Sequence, residues 1–70
     1  MTYRILVQSR RKPGKWYEMW RGEDADEGRA RFCGFRRVVL NPVHAWAQPP
    51  ALLLTNDPSG QVPLLHWKAP

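Results

Sequence analysis

The 70-residue chain has one cysteine, Cys33, which excludes a disulfide framework within it. It has no apolar run near 18 residues, so no transmembrane helix is expected. Its first residues, MTYRILVQSRR, carry charge after a short apolar stretch rather than before it, which is not the order of a signal peptide. Acidic residues are scarce, six against eleven Lys and Arg. There is no Gly-rich phosphate loop, no Gly-x-Ser-x-Gly elbow and no internal repeat. The length suits one domain over residues 1–70, with too small a core to shield a catalytic cavity. These absences predict a soluble, non-enzymatic protein in a reducing, cytoplasmic setting. No membrane contact, cofactor or small-molecule substrate is expected.

Cationic charge is what the chain has in excess, with a formal net charge of +5. Residues 1–22 hold Arg4, Arg10, Arg11, Lys12, Lys15 and Arg21 against Glu18 alone. Residues 23–34 reverse the balance, with Glu23, Asp24, Asp26 and Glu27 against Arg29 and Arg31. Arg36 and Arg37 follow, and the last 30 residues are nearly uncharged. Most of the cations are Arg, whose planar fork bonds phosphate or carboxylate in pairs and stacks on rings.

The pattern predicts an α+β domain, an antiparallel sheet with one short helix in the order ββαβ plus a C-terminal β-hairpin or strap. An all-β five-stranded barrel or sandwich is the alternative. Residues 3–8 and 15–20 alternate like strands around Pro13-Gly14, a turn dipeptide in which Gly is expected at positive φ. They predict a basic hairpin over 3–21. Trp16, Glu18 and Trp20 are expected on one face, with Tyr17 and Met19 on the other. Asp24 and Glu27 resemble a capping box, which predicts a short helix over about 25–33 stopped by Gly34. The rival reading is an acidic loop and a bent strand over 30–40. Arg36–Leu40 reads as a third strand ended by Asn41-Pro42. A Pro-rich connector spans 41–50. An apolar strap over 51–67 follows, as ALLLT, an Asn56–Gly60 turn and a return strand that Pro63 confines to an edge.

Nothing in the sequence supports catalysis. Cys33 reads as a small core thiol beside Phe32. His44, His66, Cys33 and Asp57 lack the spacing of a metal motif. The acidic cluster reads as the solvated first turn of a helix. Two binding readings remain. The leading one is a small protein-binding accessory or inhibitor module, with a foreign protein or a second copy as partner. It would use Trp46, Leu52, Leu53, Leu54, Leu64, Leu65 and Trp67, because consecutive leucines on a strand need cover on both faces. The alternative is a nucleic-acid-binding module built on the basic hairpin, with Arg4, Arg10, Arg11, Lys12, Lys15, Arg21, Arg36 and Arg37 on phosphates and Trp16 as a stacking face. The outline of charged hairpin, short helix and third strand is similar to that of many small bacterial and phage proteins. It carries no diagnostic motif, and no residue role follows from it.

Overall fold

The two alternating runs at the start of the chain do pair. β1 (Tyr3–Gln8) and β2 (Trp16–Gly22) form an antiparallel hairpin. At its tip the Lys15 N–H donates to the Lys12 carbonyl at 2.8 Å, and the Ser9 N–H to the Lys15 carbonyl at 2.9 Å. The Ser9 hydroxyl accepts from the Lys12 N–H at 3.1 Å, and the Gln8 amide donates to the Pro13 carbonyl at 2.6 Å. Gly14 does not take the positive φ expected of it. The turn is closed with Gly14 at negative φ, as a type I turn allows. This is a computed structural model, and it describes residues 1–40 and 49–69. His44, Trp46, the Asn41-Pro42 stop and most of the 41–50 connector lie outside the described residues.

The register corrects the expected faces of β2. Ile5 pairs with Trp20 but Leu6 pairs with Glu18, so Met19 is the extra residue of a β-bulge. The bulge inverts the alternation. Trp20 and Tyr17 share a face with Ile5 and Val7, whereas Trp16 and Glu18 share the opposite face with Leu6 and Gln8.

One helix follows, α1 (Ala25–Leu40). Asp24 caps it, its Oδ1 accepting the N–H groups of Asp26 at 2.8 Å and Glu27 at 3.2 Å. The expected strand over 36–40 is helix instead. Gly34 does not stop α1 because the buried stripe continues through it: Ala25, Gly28, Phe32 and Phe35 recur at helical spacing, and Phe35 packs against the core. Burying part of a Phe outweighs the roughly 1 kcal/mol that a mid-helix glycine costs.

The strap forms β3 (Ala51–Thr55) and β4 (Pro63–Lys68). The single sheet has the order β2-β1-β3-β4 with every neighbouring pair antiparallel, so the barrel and sandwich alternatives do not apply. β2 and β3 run parallel with β1 between them. The chain must therefore travel the length of the sheet between those two strands, and α1, about 24 Å long, covers that distance. The core lies between α1 and the sheet: Ile5, Leu52, Leu54 and Phe32, ringed by Tyr3, Val7, Trp20, Phe35, Leu65 and Trp67.

The sheet's other face is covered too, by the β3–β4 loop, residues 56–62. Arg4 Nη2 donates to the carbonyls of Asp57 at 3.2 Å and Pro58 at 3.0 Å. Gly60, with φ of 74°, lies so close to the sheet that an added Cβ would stand 3.1 Å from Leu6 Cδ1. Asp57 organises the loop. Its carboxylate accepts from the Ser59 hydroxyl at 2.5 Å and from the amides of Ser59, Gln61 and Val62 at 3.2–3.3 Å. Thr55, fully buried, donates its hydroxyl proton to the Val62 carbonyl at 2.8 Å and accepts from the Asp57 N–H at 3.0 Å. Leu6 and Leu53 are thereby buried on the face away from the helix.

Candidate functional site

The topology sorts the charges. β2 ends, α1 begins and β3 ends at one end of the sheet, so Glu23, Asp24, Asp26, Glu27 and Asp57 gather there. The hairpin tip projects from the other end, carrying Arg10, Arg11, Lys12 and Lys15, all exposed. β4 finishes at that same end: Lys68 pairs with Ala51, one residue beyond the Val7–Leu52 pair. The return of α1 carries Arg36 and Arg37 away from the acids as well. The molecule thus has an acidic end and a basic end.

Local pairing sharpens the separation. Near the acidic end, Asp26 meets Arg29 at 3.3 Å and Glu27 meets Arg31 at 3.6 Å. On β2, Glu18 holds Arg21 through bonds of 2.6 and 3.1 Å. The Arg21 hydrogen bond, with the charges of Arg21 and Arg4, keeps the Glu18 carboxyl below its ordinary range against a partial desolvation that pushes the other way. Among the described residues, no acidic side chain pairs with Arg11, Lys12, Lys15, Arg36, Arg37 or Lys68. The Lys15 ammonium lies over the Tyr17 ring, 5.2 Å from its centre.

The sequence-derived cation set therefore divides. Arg10, Arg11, Lys12, Lys15, Arg36 and Arg37 belong to the basic end. Arg4 and Arg21 do not: they pair across β1 and β2 in the other half of the sheet, one fastening the 56–62 loop and the other holding Glu18. Lys68 joins the basic end and was missed. Nothing in its own neighbourhood marks it, and only the register of β4 brings it there.

The apolar set divides more sharply. Leu52, Leu53 and Leu54 are interior, because β3 is an inner strand covered by α1 on one face and by the 56–62 loop on the other. Leu52 and Leu54 are closed to a partner, and Leu53 shows only 7% of its surface. Leu65 and Trp67 are half-buried against the core. Leu64 is exposed because it is the extra residue of a second bulge, between the Leu54–Leu65 and Thr55–Pro63 pairs. Trp46 lies outside the described residues. Cys33, expected in the core, is exposed instead, since α1 turns Phe32 inward and its neighbour outward.

On the loop-covered face lies a groove of about 400 Å³. Leu6 and Leu53 form its floor. Trp16 from β2 and His66 from β4 stand at its sides, and Gly60 and Gln61 close one edge. A second hollow, lined by Arg4, Arg21, Met1 and Pro58, lies in the other half of the sheet, and both of its arginines are already engaged. Among the described residues no three His, Cys, Asp or Glu side chains are grouped to hold a metal, and no helix is long and apolar enough to cross a membrane. Compared with protein-family models, curated proteins and solved structures, the chain matches none.

Proposed function

We propose that the chain is a nucleic-acid-binding module that engages phosphates with its basic end. The observation that carries this reading is the partition of charge: Arg11, Lys12, Lys15 and Lys68 at one end, with no acidic side chain paired to them among the described residues, and most of the acids at the far end. A field polarised in this way attracts a polyanion and orients it on approach. Much of the apolar surplus of the strap, which favoured a partner protein, is taken up within the fold: Val62 and Leu64 stay exposed, but Leu52, Leu53 and Leu54 no longer ask for outside cover. Arg11, Lys12, Arg36, Arg37 and Lys68, by contrast, meet no acidic side chain among the described residues. The Ser9 and Gln8 bonds brace the backbone of the tip, so binding has mainly its side chains left to order.

Affinity for a fluorescent oligonucleotide, read by anisotropy across a salt series, tests the proposal. Contacts from Arg11, Lys12, Lys15, Arg10 and Lys68 give an expected slope of log K against log[salt] near −3.5 on a single strand, at about 0.7 per phosphate contact. Replacing Arg10, Arg11 and Lys12 together by Gln should flatten the slope by about 2. Arg4→Gln should weaken the fold rather than change the slope. Absence of binding at low salt, or a slope indifferent to the triple change, overturns the reading.

A further inference from the structure

The groove beside the basic end has a chemistry that phosphate binding alone does not use. Its floor is apolar, made by Leu6 and Leu53. Its sides are flat rings, Trp16 and His66, on the two edge strands. Both rings project on the loop-covered face, and so do Gln8 and Lys68 at the basic end. Trp16 is the first residue of β2, directly after Lys15 and the hairpin tip. Its indole is half-buried and lies on the face away from the helix core, with no part in the cluster around Phe32. About 400 Å³ is within the range of pockets that take small ligands.

We infer that this groove receives an unpaired nucleobase, so that the ligand of the basic end is a single strand rather than a duplex. The inference rests on the phosphate-binding reading and adds the base. The argument is one of complementarity. A single strand presents phosphates and π-faces in alternation along its length. Lys68 projects on this face, and the tip cations stand at the end of the sheet where Trp16 begins, next to an apolar slot walled by aromatic rings. A base lying in the slot stacks on Trp16 and rests over the small parts of Leu6 and Leu53 that stay open, while the phosphates flanking it reach the cations. Gln61 at the slot's edge supplies a donor and an acceptor for the rim of a base. A duplex has its bases stacked inside and offers the slot nothing.

Four ligands of equal length separate the cases on the wild-type protein: a single-stranded oligothymidine, a single-stranded oligoadenosine, an abasic deoxyribose-phosphate oligomer and a matched DNA duplex. Both base-bearing single strands should bind about tenfold or more tighter than the abasic oligomer at the same salt, and tighter than the duplex, with quenching of tryptophan fluorescence. Trp16→Leu and His66→Ala should each remove much of that advantage and leave affinity for the abasic oligomer unchanged. His66 is exposed, so its variant keeps the fold, and the abasic comparison needs no variant at all. Equal binding of abasic and base-bearing strands, still lost on the triple tip change, would overturn the base site and spare the phosphate reading. Tighter binding of the duplex would do the same. If none of the four binds at low salt, both readings fall, and the groove is left to a protein side chain.

Discussion

At the scale of single residues, glycines show how closely two layers approach. Gly28 lies on the buried face of α1, and a Cβ there would stand 3.3 Å from Leu54 Cδ1 and 3.4 Å from the Trp20 ring. Leu54 is almost wholly enclosed and has nowhere to shift. Gly34, two turns on, has nothing within 4 Å of an added Cβ. Both positions gain about 0.5–1 kcal/mol of helix propensity on replacement by Ala, but only one can keep it. Gly34→Ala should therefore raise the melting temperature, by about 4–8 °C per kcal/mol in a domain of this size, and Gly28→Ala should lower it. The same reversal for both residues, measured by thermal denaturation, would mean that the helix does not sit where Gly28 places it. Single residues were also where the sequence misled most. Alternation along β2 puts Trp16 and Trp20 on one side, and the extra residue Met19 puts them on opposite sides. Periodicity carries no mark of a bulge, because the residue that makes it has the same chemistry in or out of register.

Elements were legible where local chemistry defines them. The hairpin follows from two alternating runs and a turn dipeptide, and the start of α1 from the Asp24 cap. The end of α1 was not legible: Gly34 is a local stop signal, and what overrides it is Phe35 packing on a core assembled from distant strands. The Asn56–Gly60 turn is legible from its residues, but the loop's cover over Leu6 and Leu53 depends on Arg4, more than fifty residues earlier in the chain. Of the candidate site, the tip cations could be read from the sequence, whereas the groove between Trp16 and His66 could not, since four strands and a loop must be in register to make it. Asp57 gives the loop a measurable signature. The Ser59 hydroxyl first, then the Ser59 amide, with the amides of Gln61 and Val62, hold its carboxyl below the ordinary value of 3.8 against partial desolvation. A carboxyl depressed in the folded state contributes stability that is complete above its unfolded pKa, about 3.9, and is lost as pH falls through the lower folded value. The gap in melting temperature between the wild type and Asp57→Asn should hence be constant from pH 5 to 7 and close progressively below about pH 4. A gap that stays open in acid would show that the carboxylate does not organise the loop. Glu18 titrates in the same window but is common to both proteins, so the difference isolates Asp57.

For the whole molecule, the position of β1 between two strands that run parallel sets a condition on how the chain assembles. Each hairpin is closed by a short connection, residues 9–15 in one and 56–62 in the other. The seam that joins them, residues 4–7 against 52–55, closes a loop several times longer, at an entropic cost greater by about 1.5–2 kcal/mol. Neither hairpin is stable alone, because a two-stranded ribbon in water is marginal at best. The rate of refolding should therefore be set by formation of the seam under α1, with β4 zipping onto β3 afterwards. In a denaturant chevron, Val7→Ala, at the seam, should slow refolding, whereas Leu65→Ala, on the outer edge, should mainly speed unfolding. Equal slowing by both would place the outer hairpin in the transition state. In that order the groove, one side of which is His66 on β4, is completed last, so a polyanion added during refolding should meet the cations of the tip before the slot beside them is whole.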